Sequence, residues 1–197
     1  AALDPEDAAS SGPRWIWPTG RPDDFAVEPR FGDPTCAPPD PRAFSPHGLT
    51  VRGRRVVVVN HGGRESVELV WLEGRGVDAQ LVWQGCVELP AGTAGNDVVV
   101  AATGEILVTN YLPSLLSLWG TIRVLIGLET GDVLSWSEES GWQRVPGSAG
   151  SGPNGLALSP DGAAIFFAET GSGSVVRLRR EDGARDAVEI GGAPDNL

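Results

Sequence analysis

The sequence predicts an all-β protein of the propeller class, and two observations carry that prediction. The first is the stretch from Pro153 to Arg180, which reads as three strands and two turns with almost nothing left over. Leu156 to Leu158 is a short apolar run, Ser159-Pro160-Asp161-Gly162 places Pro and Gly where a β-turn accommodates them, and Ala164 to Ala168 is a second apolar run. Gly171-Ser172-Gly173 turns the chain again, and Val175 to Leu178 alternates with Arg177 and Arg179 as a half-exposed strand does. The second observation is repetition. The opening Pro153-Asn154-Gly155-Leu156 has three relatives: Pro46-His47-Gly48-Leu49, Gly95-Asn96-Asp97-Val98 and Pro194-Asp195-Asn196-Leu197. Their second members recur at intervals of 49, 58 and 41 residues, around the blade lengths of roughly 40 to 50 residues found in propellers.

Taken in order, residues 1–43 hold nine of the sixteen prolines and form an irregular first part. Within it Ala1 to Pro5 reads as the tail of an inner strand, Trp15-Ile16-Trp17 as a short outer one, and Pro34 to Pro41 as an extended connector crossing to the next blade. Residues 44–90 form the first clear blade. Leu49 to Val51 starts it, Val56 to Val59 is fully apolar, Val67 to Leu72 alternates, and Ala79 to Val87 completes four strands. The next blade, 95–146, runs Val98 to Ala101, Glu105 to Thr109, Gly131 to Trp136 and Trp142 to Val145. Inserted in it is Leu112 to Leu128, the most apolar stretch of the chain. It falls short of the roughly 20 residues a membrane span requires and is interrupted by Pro113, Gly120 and Arg123. Its Ser114 to Trp119 portion predicts a short amphipathic helix that caps the channel mouth or meets a lipid surface. A third blade covers 153–191, and 194–197 opens another. With no methionine and an end inside a repeat, the chain is expected to be about four blades of a longer propeller, inactive and prone to aggregate by itself.

The composition, 41% hydrophobic and 21% charged, is that of a folded globular protein. A net charge of −11 argues against nucleic acid and anionic membranes as partners. Cys36 and Cys86 lack zinc-type spacing, and the sequence allows one disulfide but favours it no more than two unpaired thiols.

The chemistry concentrates where the repeat openings converge. The first strand of each propeller blade lines the central channel, so equivalent positions meet near one axis. Asn96, Asn154 and Asp195 there supply the oxygen donors a hard cation requires. The only two histidines, His47 and His61, open one strand and end its antiparallel neighbour, so their rings can meet at one mouth of the channel.

These residues resemble a known family. PHGLT with VVVVNHGGRESVELV, then GNDVVV, PNGLALSPDGAAIFFAE and PDNL, is similar over residues 44–197 to the paraoxonase/arylesterase family of calcium-dependent lactonases, within the wider gluconolactonase and strictosidine synthase-like group. The resemblance implies a six-bladed propeller, incomplete here, with two calcium ions in its channel. It implies that Asn96, Asn154, Asp195 and Asn196 hold the catalytic ion, while Asp97 and the carbonyl of Leu49 hold a structural one. It implies lactone or aryl ester hydrolysis, with His47 taking a proton from water and His61 hydrogen-bonded behind it. GxSxG is absent, so no serine nucleophile is expected. Two departures stand out. The family's upstream Glu-Asp ligands have no match here, Glu6-Asp7 being misplaced, and Tyr111-Leu112 replaces an Asp-His pair after Thr109-Asn110. A metal-free strictosidine synthase-like propeller and a non-catalytic binding propeller are the alternatives.

Overall fold

The computed structural model describes residues 31–111 and 118–197, and the strands expected at 1–5 and 15–17 lie outside them. Thirteen strands among these residues build three sheets. The first contains β1 (Phe31–Gly32), β2 (Pro46–Arg52), β3 (Arg55–Asn60), β4 (Ser66–Glu73) and β5 (Gln80–Glu88) in the order β1-β5-β4-β3-β2. The second is the meander β6 (Gly95–Val100), β7 (Ile106–Asn110), β8 (Asp132–Ser137), β9 (Gly141–Arg144). The third runs β10 (Pro153–Leu158), β11 (Ala164–Glu169), β12 (Ser174–Arg179), β13 (Arg185–Glu189). These are three blades of an incomplete β-propeller, with β2, β6 and β10 brought side by side.

The stacking follows from a two-residue period. In β7 every residue is buried, because the middle blade is covered on both faces. Ile106 and Val108 join Val57, Val59, Val67, Leu69 and Val87 of the first blade in one core. Leu107, pointing the other way, joins Ile165, Phe167, Val176 and Leu178 of the third in another. The outer face of the first blade has its own small core of Cys36, Val70, Trp83 and Cys86.

The structure corrects several expectations. The 112–128 insertion does carry a helix, α1, described over Leu118–Leu125; of the helix expected at 114–119, residues 118 and 119 are helical and 114–117 lie outside the described residues. Gly120 sits inside α1 without ending it. The stop is Gly127, at φ 73°, where the Leu128 amide donates to the Arg123 carbonyl. Among the described residues no helix is long and apolar enough to cross a membrane. Strand β4 does not simply alternate: Glu68 is fully buried. The third blade gains a fourth strand, β13, whose exposed polar pattern gave no apolar run to find. The proline-rich connector does not cross between blades. It begins as β1, paired in parallel with β5, and returns to β2 of the same blade.

That connector is anchored by a Cys36–Cys86 disulfide, which closes a separation of 50 residues with the Cα atoms 5.8 Å apart. The structure thereby chooses the disulfide over two thiols. A loop of this length predicts that the Cys36→Ser, Cys86→Ser double variant loses about 2–4 kcal/mol of stability. Urea unfolding measures this, and an unchanged midpoint would show that the bridge adds nothing.

Candidate functional site

The repeat openings are not regular strand. In each blade the first strand pairs once with the second and then slips. Pro46 pairs with Asn60 but Leu49 with Val58, Gly95 with Asn110 but Val98 with Val108, Pro153 with Glu169 but Leu156 with Phe167. Three steps on the inner strand span two on its neighbour, so His47-Gly48, Asn96-Asp97 and Asn154-Gly155 occupy one β-bulge repeated three times. A bulge takes its residues out of the ladder and re-aims them, here at the end where β2, β6 and β10 come together.

Each bulge also leans on the next opening. A Cβ at Gly48 would collide with the backbone of Asn96 and Asp97, and one at Gly155 with that of Asp195 and Asn196. Both positions therefore require glycine for close approach. Asp97, which holds the same place in the second blade, reaches the third through its side chain. Its Oδ2 accepts the Leu156 amide at 2.8 Å and its Oδ1 the Val98 amide at 2.8 Å. The order of contact is thus 47–48, 96–97, 154–155, 195–196.

Beside each bulge lies the residue that ends the second strand and the one after it. Asn60 and Asn110 hold the incoming chain by accepting the amides of Ser45 at 2.9 Å and Ala94 at 3.1 Å. Of the residues after them, His61 meets His47 and, in the third blade, Thr170 meets Asn154, while the Tyr111 ring lies beside Gly152. The imidazoles of His47 and His61 lie edge to face with ring centres 5.2 Å apart. No hydrogen bond joins them, contrary to expectation, and the Nδ1 of His61 faces the Glu65 carboxylate, with its two oxygens at 3.0 and 2.8 Å.

In the third blade, the Thr170 hydroxyl spends its one proton on the Pro194 carbonyl at 2.9 Å. It can therefore only accept from Asn154, whose Nδ2 is 3.2 Å away. That fixes the amide with Oδ1 on the opposite side. Asn154 is 7% exposed, and its Oδ1 is the buried side-chain polar atom without a hydrogen-bond partner among the described residues.

The charges share one neighbourhood. Burial pushes the Asp97 carboxyl above its ordinary pKa, and Asp195 adds to the push, while the Leu156 and Val98 amides and His47 oppose it. The Tyr111 phenol is likewise raised, by burial first and then by Asp195. Tyr111, noted in the sequence only as a departure, has its ring beside Gly152, just before the third opening. Asn96 is half-buried, His47, Asp195 and Asn196 are exposed, and Leu49 resumes the ladder after the first bulge with an exposed side chain. Among the described residues no group of three His, Cys, Asp or Glu side chains gathers as a metal site, so the oxygen set here relies on amides.

No protein-family model matches the chain, and no curated protein does. Solved structures do. The nidogen/laminin complex matches with a TM-score of 0.51 at 14% identity over 77% of this chain and 51% of that one. The gluconolactonase XC5397 of Xanthomonas campestris matches at 0.49 and 24% identity over 77% and 51%. The periplasmic gluconolactonase PpgL of Pseudomonas aeruginosa matches at 0.49 and 20% over 82% and 44%. The chain spans about half the length of these structures. Its three bulged, radially stacked meanders make it part of a β-propeller.

Proposed function

We propose that the chain carries the site of a calcium-dependent hydrolase of lactones and aryl esters. The observation that carries this reading is the buried, unpartnered Oδ1 of Asn154. Left alone such an oxygen costs about 1–3 kcal/mol, and a cation satisfies it. The donor set fits calcium: neutral amide oxygens from Asn96, Asn154 and Asn196 and carboxylates from Asp97 and Asp195 are hard ligands. Asn96, Asn154, Asp195 and Asn196 would hold one ion, and Asp97 with the Leu49 carbonyl a second. When bound, calcium supplies a Lewis-acid contact for the substrate carbonyl oxygen.

The chain's own residues do the rest. His47 is solvent-accessible and takes the proton from the attacking water, which adds to the carbonyl carbon as the ring or ester C–O bond opens. The proton passes to the departing oxygen, leaving a hydroxy acid from a lactone, or a phenol and an acid from an aryl ester. Tyr111 borders the same mouth and shapes what enters. The exposed Leu118, Trp119 and Leu125 of α1 offer the apolar face with which this chain would meet a lipid surface.

The test is calcium content, unfolding midpoint and hydrolysis of a lactone and aryl ester series, measured on the full-length protein with and without a chelator. Chelation is expected to abolish hydrolysis and lower the midpoint. A protein that holds no calcium, or whose midpoint ignores the chelator, would leave a metal-free or purely binding propeller as the better reading.

A further inference from the structure

Glu65 has no part in the chemistry so far, yet the loop around it is built to deliver it to His61. Asn60, fully buried, donates from Nδ2 to the carbonyls of Gly62 at 3.0 Å and Arg64 at 3.2 Å and accepts the Gly62 amide at 3.0 Å. This folds residues 61–65 back on themselves. A Cβ at Gly62 would strike the Ala43 carbonyl, so the connector presses the loop closed. The backbone of His61 donates to Ser45 and the carbonyl of Glu65 accepts from Leu89, so both ends are tied. Arg64, the cation nearest in sequence, is directed elsewhere: Nε and Nη2 donate to Glu68 at 3.0 and 2.8 Å. The Glu65 carboxylate is left to His61, with both side chains partly shielded, 31% and 19% exposed.

A carboxylate only accepts hydrogen bonds, so the His61 nitrogen facing it carries the proton. We infer that Glu65 is the positioning residue of the histidine pair: it holds His61 as the Nδ1–H tautomer and leaves Nε2 as its basic nitrogen. The ring is also locked at the edge-to-face angle of 64° against His47. A carboxylate behind an imidazole fixes its tautomer and ring orientation, as it does for metal-bound and catalytic histidines. Nothing local in the sequence singles out Glu65, which lies in the turn between two strands and meets His61 only through the fold of that loop.

The inference deepens the hydrolase reading and rests on it for its consequence in catalysis, but its structural half is measurable without activity. Imidazole ¹⁵N NMR of the full-length protein is assigned at His47 and His61 by comparison with His47→Gln and His61→Gln variants. At about pH 8.5, well above the ordinary imidazole pKa, His61 is expected as the Nδ1–H tautomer, and as a mixture in Glu65→Ala. The same variant is expected to lose roughly 10- to 100-fold in kcat with KM nearly unchanged and an unfolding midpoint close to that of the wild type. A purely structural pair would shift the midpoint and leave the tautomer alone. An Nε2–H tautomer in the wild type, an unchanged tautomer in Glu65→Ala, or full kcat in that variant would overturn the inference. A wild-type protein without hydrolase activity would sink the hydrolase reading, and the NMR result would then decide the role of Glu65.

Discussion

Replacing Asn154 with alanine is expected to reduce calcium-dependent hydrolysis by roughly 100-fold or more, while leaving the calcium-free protein nearly as stable as before. The second half makes the prediction specific. In calcium-free protein the substitution removes an oxygen that has no partner along with one hydrogen bond to Thr170, and these effects oppose each other. What disappears is the increment of stability that saturating calcium adds, which grows with the logarithm of free ion over Kd. Unfolding midpoints with and without calcium, for Asn154→Ala and for the control Glu138→Ala in an exposed turn, measure that increment. If Asn154→Ala keeps the full calcium increment, its oxygen is not a ligand.

Glu68→Ala should be the most damaging change to stability, at about 3–5 kcal/mol. One buried carboxylate collects Arg64 from two nitrogens, the Ser66 hydroxyl at 2.7 Å and the Trp83 indole N–H at 2.8 Å. Removing it leaves the Trp83 indole N–H without its acceptor beside the Cys36–Cys86 bridge, and leaves the Arg64 guanidinium with the Ala37 carbonyl at 2.6 Å but without its counter-charge. The comparison is Glu105→Ala, which breaks a surface pair with Arg180 at 2.7 Å and is expected to cost less than about 1 kcal/mol. Urea unfolding of both variants decides: near-equal losses would mean the buried network contributes no more than an exposed ion pair.

The blades were legible in the sequence because their evidence is local. Val56 to Val59 and Ala164 to Ala168 are apolar runs whose burial on two faces needs no distant partner to read. The repeated openings were legible for a different reason: one bulge, used three times, places a polar residue at the same offset each time. Features set by distant contacts stayed hidden. Nothing near Phe31 announces a parallel pairing with Gly85, and nothing near Cys36 names Cys86 as its partner. Glu68 read as the polar half of an alternation because Arg64 and Trp83, which allow it to be buried, come together only in the fold. Helix α1 runs past the expected end at Trp119, and its boundary is the left-handed Gly127, a conformation the local sequence does not announce. In the site, the ring positions could be named from the repeat, but the Thr170 hydroxyl that orients Asn154 and the carboxylate behind His61 could not.

The repeated bulge has one more implication. Because His47, Asn96 and Asn154 stand outside the strand ladder, none of them holds its blade together by backbone pairing. Each behaves as an interchangeable socket: an imidazole occupies one and amides the other two while the surrounding meander keeps the same register. A scaffold of this kind can be retuned from cation binding to proton transfer one blade at a time, at little cost to folding, as long as the glycines at 48 and 155 keep the openings in contact.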